Sequence, residues 1–151
     1  MEILVVFGSQ YGNTQRIARA IAEALASEHH VRVVPAAAAT AERGDDVDLL
    51  LVGAPTQMRG LRLLADPFLA GLEERGFGRT AAAAFDTYVD VGPQMLASTV
   101  IADRLAEAGC RLVAEPESFL VLGMEGPLAD GEERRAGSWA MSVVAAIAAP
   151  R

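Results

Sequence analysis

The feature that most limits how this chain can fold is an apolar run at residues 3–7, Ile-Leu-Val-Val-Phe, which leads directly into a polar turn at residues 8–14. A strand with apolar side chains at consecutive positions is buried on both faces, and such strands are typical of parallel sheets covered by helices. After the turn, Ile17, Ile21 and Leu25 recur at helical spacing. This order of strand, loop and helix predicts an α/β fold.

The same order repeats along the rest of the sequence. Further strands are predicted at residues 31–34, 47–52 and 81–85, and a fifth in two pieces, 111–113 and 119–122, on either side of Pro116. Four alanines at 81–84 favour helix by propensity alone. Because that run is short and predicted helices lie on both sides of it, we interpret it as the fourth strand. Proline is tolerated at a sheet edge, so the fifth strand is predicted to be an edge strand.

Helices are predicted between these strands. One begins at Ala36 and is ended by Gly44, one opens at Asp66-Pro67, one follows Pro93 and stops at Gly109, and the last carries Trp139, Val143, Ala146 and Ile147 on its inner face. Five strands alternating with helices predict a doubly wound parallel sheet. A chain of 151 residues is an ordinary size for one domain, so we expect a single domain over residues 1–151.

Composition excludes several classes of function. The net charge of −7 argues against nucleic acid and anionic membranes as main partners. No apolar run reaches the length of about 18–20 residues that spans a bilayer, and no secretory signal is recognised, so we expect a cytoplasmic protein.

The single cysteine, Cys110, forms no internal disulfide and is interpreted as a small buried residue. We find no Cys/His cluster, so no metal site is predicted, and no catalytic nucleophile or general acid stands out.

The turn at residues 8–14 is the strongest candidate for a binding site. Ligands of doubly wound sheets bind beyond the carboxyl ends of the strands, so the loops after the first, third and fourth strands are expected to meet there. The hydroxyl and amide groups of this turn, together with the N-terminus of the following helix, suit a phosphate group. The turn lacks the lysine of a Walker loop and the spacing of a dinucleotide fingerprint. The alternative is a polar turn capped by Thr14.

Three segments resemble the flavodoxin family. Residues 9–14, Ser-Gln-Tyr-Gly-Asn-Thr, look like its phosphate loop, and residues 53–56, Gly-Ala-Pro-Thr, look like the start of its second flavin loop. Residues 84–87, Ala-Phe-Asp-Thr, resemble the end of the fourth strand in a bacterial branch of the family. The resemblance implies a three-layer, short-chain flavodoxin-like fold with strand order 2-1-3-4-5. Flavodoxin is itself the standard example of FMN bound at that switch point.

The resemblance also implies which residues bind FMN. From the first loop it implies Ser9, Gln10, Gly12, Asn13 and Thr14 around the phosphate, with Tyr11 in the same loop; from the second loop Pro55, Thr56, Gln57 and Met58; and from the third loop Asp86, Thr87 and Tyr88. Tyr88 is the expected stacking partner of the isoalloxazine ring.

The second loop departs from the family pattern. Flavodoxins commonly place an aromatic residue there, whereas residues 57–59 are Gln-Met-Arg. Met58 is expected to pack in its place, because a thioether is adaptable. Arg59 and Arg62 put positive charge near the expected ring, and this is expected to raise its reduction potential.

The resemblance implies an FMN-binding electron-transfer protein that shuttles electrons between redox partners, such as a flavin reductase or an iron–sulfur protein. We expect a monomer or a weak dimer. Two alternatives use the same fold. One is an FMN-dependent oxidoreductase acting on a quinone or a porphyrinogen. The other is an interaction module that has lost FMN.

Overall fold

The computed structural model describes residues 1–57 and 64–148. The strands are β1 (Glu2–Phe7), β2 (His30–Pro35), β3 (Leu49–Pro55), β4 (Ala81–Val89), β5 (Arg111–Leu112) and β6 (Glu117–Val121). The helices are α1 (Asn13–Leu25), α2 (Asp66–Leu69), α3 (Ala97–Glu107) and α4 (Glu132–Ala148). The predictions for Met58, Arg59 and Arg62 lie outside the described residues.

The strands form one parallel sheet in the order β2-β1-β3-β4-β5, which confirms the predicted order. The two pieces of the predicted fifth strand are β5 and β6, and both pair with β4. Ala81 of β4 lies beside Arg111 of β5, and Phe85 lies beside Glu117 of β6. Pro116 falls between the two pieces, as expected from its missing backbone donor.

Two helical layers cover the sheet, because side chains along each strand alternate between its faces. Val5, Leu51 and Phe85 pack on one face against α1 and α4. Leu4 and Leu50 pack on the other face, against α2 and α3. The strands are therefore buried on both sides, which explains why their sequences are apolar without alternation.

The fourth strand is longer than predicted. It runs nine residues, from Ala81 to Val89, between β3 on one side and β5 and β6 on the other. Ladder hydrogen bonds on both edges outweigh the helical propensity of its alanines, since tertiary context overrides a weak local preference. Asp86, Thr87 and Tyr88 consequently lie within β4, not in the loop after it.

Two other local predictions differ from the structure. In place of a helix from Ala36, the chain forms two 3₁₀ turns, Ala39–Ala41 and Gly44–Asp46. In α4, Trp139 and Val143 are buried as predicted, but Ala146 is exposed. An alanine side chain has little apolar area, so the sequence only weakly determines whether it lies on the buried or the exposed face of a helix.

Arg75 joins the chain segments on the α2 side of the sheet. Its guanidinium lies over the ring of Phe68, 4.9 Å from the centroid, and 5.7 Å from that of Phe77. It donates hydrogen bonds to four backbone carbonyls, those of Ala39, Glu42, Phe68 and Ala70. A planar group with five donors is suited to such a junction, and a single ammonium is not.

Candidate cofactor site

The loop between β1 and α1 forms one wall of the site. Gly12 is the N-cap of α1 and has a left-handed backbone, φ 89°, which glycine adopts without a steric penalty. Its N–H donates to Ser9 Oγ at 3.0 Å, so the Ser9 hydroxyl proton remains for a further acceptor. The first turn of α1 carries no acidic residue. The partial positive charge of the helix N-terminus is therefore left for a bound anion.

A buried pair of hydroxyl groups connects this wall to β4. Thr14 Oγ1 and Thr87 Oγ1 lie 2.8 Å apart, and the two residues are 1% and 2% exposed. One hydroxyl donates to the other, and the accepting hydroxyl keeps its own proton for another partner. Both side chains line the cavity described below.

The end of β3 forms the next wall. The Thr56 N–H donates to the Thr87 carbonyl at 2.7 Å, which extends the pairing of β3 with β4. Thr56 Oγ1 accepts the N–H of Ala97 at 2.8 Å, in the first turn of α3. Gln57 Nε2 donates to Gln10 Oε1 at 3.1 Å, so an amide pair joins the second loop to the first.

These walls enclose a cavity of about 390 Å³ at the carboxyl edge of the sheet. Its lining is Ser9, Gln10, Tyr11, Asn13, Thr14, Pro55, Thr56, Gln57, Thr87, Tyr88, Val89, Gln94, Val121 and Met124. No charged side chain is among these described residues. Hydroxyl and amide donors alternate with aromatic and aliphatic surface, and the volume falls within the range of about 300–1,000 Å³ for small-molecule sites.

The structure brings together most of the residues predicted for the site. Gly12 contributes its backbone conformation but is not in the lining, and Met58 lies outside the described residues. Asp86 points away from the cavity and is fully buried beside α3.

Asp86 has an unusual environment for a carboxylate. Its Oδ2 accepts the N–H of Ser98 at 2.8 Å, whereas its Oδ1 has no hydrogen-bond partner among the described residues. Burial raises the pKa of the Asp86 carboxyl, and the hydrogen bond from Ser98 opposes that rise.

Sequence reasoning missed four lining residues, Val89, Gln94, Val121 and Met124. Val121 ends β6 and Met124 follows it, so the loop after the fifth strand also reaches the site. The predicted topology already indicated that this loop lies at the site, because the carboxyl ends of all parallel strands meet at one edge of the sheet. Gln94 Nε2 donates to the Val89 carbonyl at 2.8 Å, which closes the loop after β4 on itself.

Comparison with known proteins decides which family has this arrangement. A sequence model described as Flavodoxin matches residues 5–139, which is most of the chain. The chain belongs to the flavodoxin family. Members of this family bind FMN and transfer electrons to redox partners, and the chain is accordingly an FMN-binding electron-transfer protein.

Solved flavodoxin structures have the same fold. A flavodoxin from the domain Archaea superposes with a TM-score of 0.78 at 21% identity, covering 99% of this chain and 100% of the other. Flavodoxin 1 from Bacillus cereus gives 0.78 at 20% identity, with coverages of 96% and 98%. Flavodoxin 2 from the same organism gives 0.76 at 24% identity, with coverages of 96% and 99%. A search of curated proteins found no significant match.

The residues present fit FMN. The family requires a site for a phosphate and for a flat aromatic ring, and the described cavity supplies hydroxyl donors beside a helix N-terminus as well as aromatic and aliphatic side chains. In the described part of the chain, no helix is both long and apolar enough to cross a membrane.

Proposed function

We propose that the cavity at the carboxyl edge of the sheet holds FMN, and that the protein carries electrons between redox proteins of the cytoplasm. The observation that carries this proposal is the convergence of the first loop, the end of β3 and the end of β4 on one cavity of about 390 Å³, whose described lining is uncharged. When bound, FMN supplies the electron-transfer chemistry, and the protein supplies binding, orientation and electrostatic tuning.

The phosphate is proposed to bind at the N-terminus of α1. Ser9 and Thr14 supply hydroxyl groups beside the cavity, next to the N-terminus of α1, where the first N–H groups of a helix have no partner within the helix. The described lining contains no cation, so the phosphate charge is balanced by hydrogen bonds and the helix dipole. Hydrogen bonds to a charged phosphate are stronger than those between neutral groups, which makes these hydroxyls strong contributors to affinity.

The flavin ring is proposed to pack against Tyr88. This half-buried side chain lies near the end of β4, where its backbone pairs with Leu120 of β6. An aromatic ring with a polar tip offers both stacking surface and a hydrogen bond. At the start of the second loop, the Gln57–Gln10 amide pair forms part of the cavity wall.

A flavin reductase or an iron–sulfur protein is the proposed class of partner. The chain has a net charge of −7, which favours fast and weak association with a basic surface on the partner. The described cavity lining holds no carboxylate, histidine or lysine, and its two phenols are those of Tyr11 and Tyr88. A carrier is proposed ahead of an enzyme that acts on a quinone or a porphyrinogen because flavodoxins transfer electrons to redox partners.

The phosphate site is tested by titrating the apoprotein with FMN and with riboflavin, which lacks the phosphate, while following the quenching of flavin fluorescence. We expect saturable FMN binding, weakened about tenfold by Ser9→Ala because a hydrogen bond to a charged group is lost. Riboflavin binding should not change in that variant. Ser27→Ala, an exposed serine far from the site, is the matched control.

Two results would contradict this proposal. Failure of the wild type to bind FMN would remove the cofactor site altogether. Equal weakening of FMN and riboflavin by Ser9→Ala would place the phosphate elsewhere. The carrier role is tested separately, by following electron flow from a reductase through the loaded protein to cytochrome c, and rapid direct turnover of quinones with NADPH would favour the enzyme instead.

A further inference from the structure

The loop after β6 turns back on itself as a hairpin beside the cavity. Val121 and Leu128 form an antiparallel bridge, and the Leu122 N–H donates to the Pro127 carbonyl at 2.9 Å. We call this segment the 121–128 hairpin. Val121 and Leu128 are 4% and 8% exposed, so burial in the core holds the base of the hairpin in place.

The tip of the hairpin is held in another way. Leu122 and Met124 are 63% and 69% exposed, so burial of apolar side chains contributes little there. In the described part of the chain, the hydrogen bond that links the tip to another element comes from Asn13, whose Nδ2 donates to the Glu125 carbonyl at 3.2 Å. The position of the tip therefore depends on a residue that lies 112 positions from Glu125 in the sequence.

Asn13 also packs closely against the backbone of the hairpin. Gly126 has a φ of 119°, a backbone conformation that favours glycine. A Cβ at this position would lie 3.0 Å from Asn13 Oδ1 and 3.3 Å from Asn13 Nδ2. Glycine at position 126 thus leaves the space that the Asn13 amide occupies, so packing and hydrogen bonding place the same side chain on the hairpin.

Asn13 lies at the start of α1, beside the proposed phosphate site. It is the first residue of the helix and follows the left-handed Gly12. Its backbone N–H belongs to the first turn, whose N–H groups have no partner within a helix. Asn13 and Met124 both line the cavity. One residue thus connects the helix end that is proposed to bind phosphate with the hairpin that carries Met124.

Met124 is suited to cover a flat ring. An unbranched thioether adapts its shape to a neighbour and makes favourable contacts with aromatic rings. Because the side chain is largely exposed, a ring bound against it would bury apolar area. Such a contact requires heavy atoms within about 4.5 Å of one another, so its strength depends on where the hairpin tip lies.

We propose that Asn13 is a positioning residue, whose side-chain hydrogen bond to the Glu125 carbonyl holds the 121–128 hairpin where Met124 covers the flavin ring of bound FMN. This inference rests on the proposed binding of FMN in the cavity. Loss of the hydrogen bond lowers the population of the correctly placed hairpin, and the apparent affinity falls with that population. The Asn13 side chain therefore acts on the ring, which FMN and riboflavin share, and not on the phosphate.

The affinity test compares FMN and riboflavin binding to Asn13→Ala by the quenching of flavin fluorescence. This variant keeps the backbone N–H at the start of α1 and loses the side-chain amide. We expect both dissociation constants to rise about fivefold, which is the size of effect that one neutral hydrogen bond produces. Ser9→Ala, by contrast, should weaken the binding of FMN alone.

Met124→Ala tests whether the effect of Asn13 passes through the hairpin. Because the side chain is exposed, the substitution should leave the fold intact, and both flavins should bind more weakly. The double variant with Asn13→Ala should bind them no more weakly than Met124→Ala alone, because the hairpin then has no side chain to place on the ring. Met124→Leu keeps most of the apolar volume and should retain most of the affinity.

A spectroscopic measurement reports the position of the hairpin directly. In protein with isotope-labelled methionine methyl groups, oxidised FMN should shift the Met124 methyl resonance through the ring current of the flavin. At saturation this shift should be smaller in Asn13→Ala than in the wild type. Met141, exposed on α4 and outside the described cavity lining, is the internal reference whose resonance should not move.

Gln15→Ala is the matched control. It removes a side-chain amide from the same turn of α1, at a residue outside the described cavity lining. The dissociation constants of both flavins and the Met124 shift should equal those of the wild type.

Four results would overturn the inference. Weaker binding of FMN with unchanged binding of riboflavin would assign the Asn13 side chain to the phosphate. An unchanged Met124 shift in Asn13→Ala, or additive losses in the double variant, would show that Asn13 does not hold the hairpin. Equal weakening in Gln15→Ala would make the effect a general property of the helix start. Failure of the wild type to bind FMN would instead overturn the proposed function itself.

Discussion

The hydroxyl oxygens of Thr14 and Thr87 lie 2.8 Å apart at the edge of the cavity, although 73 residues separate them in the sequence. The contact joins the N-terminus of α1 to the end of β4, so the proposed phosphate site and the proposed ring site share one hydrogen bond. Both residues are almost completely buried. A substitution that removes either hydroxyl therefore leaves the other hydroxyl without this hydrogen bond.

This relationship predicts coupling between Thr14 and Thr87. Thr14→Val and Thr87→Val each preserve shape and leave one buried hydroxyl unpaired, so each should lower the free energy of unfolding of the apoprotein by about 1–2 kcal/mol. The double variant should lose less than the sum by about 1 kcal/mol, since neither hydroxyl then remains. Urea unfolding of all four proteins measures this, and strictly additive losses would show that the hydroxyls do not interact.

Gly53 and Phe85 are neighbours on β3 and β4, and their packing predicts a steric limit. A Cβ at position 53 would lie 2.1 Å from Cε2 of the Phe85 ring. The ring is held against Trp139, with centroids 6.0 Å apart, so it has little room to move. Gly53→Ala should therefore destabilise the protein by about 2–3 kcal/mol.

Gly78→Ala is the control for that substitution. Its Cβ would meet the nearest atom, the Ala108 carbonyl oxygen, at an ordinary distance of 3.6 Å. We expect a change within about 0.5 kcal/mol, as for surface substitutions. Equal thermal unfolding temperatures for the two variants would disprove the steric argument.

Arg75 is predicted to be a structural residue of the α2 side. Arg75→Met keeps the apolar contact with Phe68 and Phe77 but removes the donors to four carbonyls, so the free energy of unfolding should fall by about 2–4 kcal/mol. Arg43→Met, at an arginine whose side chain is 64% exposed, should change it by less than about 0.5 kcal/mol. Chemical denaturation distinguishes the two, and similar losses would show that these carbonyl contacts are unimportant.

Glu132 gives the protein part of its resistance to acid. The side-chain hydrogen bond from Arg135 lowers the pKa of Glu132 below the ordinary glutamate value of 4.5. The N–H of Leu120 also donates to it at 2.6 Å, which ties the start of α4 to β6. Because the folded-state pKa is the lower one, this contribution is complete above about pH 4.5 and is lost as the pH falls through the folded-state pKa.

Glu132→Gln should consequently destabilise the protein by about 1–2 kcal/mol at pH 7. The difference from wild type should shrink steadily as the pH is lowered below 4.5. Glu133→Gln, one residue further along and partnered by the exposed Arg16, should have little effect. Urea unfolding from pH 3 to pH 7 checks this, and a difference that does not vary with pH would refute it.

The sequence by itself determined the fold class and where the site lies. Consecutive apolar residues at 3–7 require burial on both faces, and this requires helices on both sides of a parallel sheet. The first loop was identified because its hydroxyl and amide groups follow a strand whose carboxyl end lies at the ligand edge of the sheet. The strand order and the Thr56 region came from the resemblance of short segments to the flavodoxin family.

Only the tertiary structure decided the length of β4 and the direction of Asp86. Four alanines have no strong preference for a strand, and pairing with β3 as far as Thr87 and with β6 as far as Val89 extends β4. Asp86 and Thr87 are consecutive strand residues, so their side chains lie on opposite faces of the sheet. Thr87 therefore meets Thr14, while Asp86 is enclosed beside Ser98. A contact across 73 residues depends on the packing of the whole sheet, which no local pattern specifies.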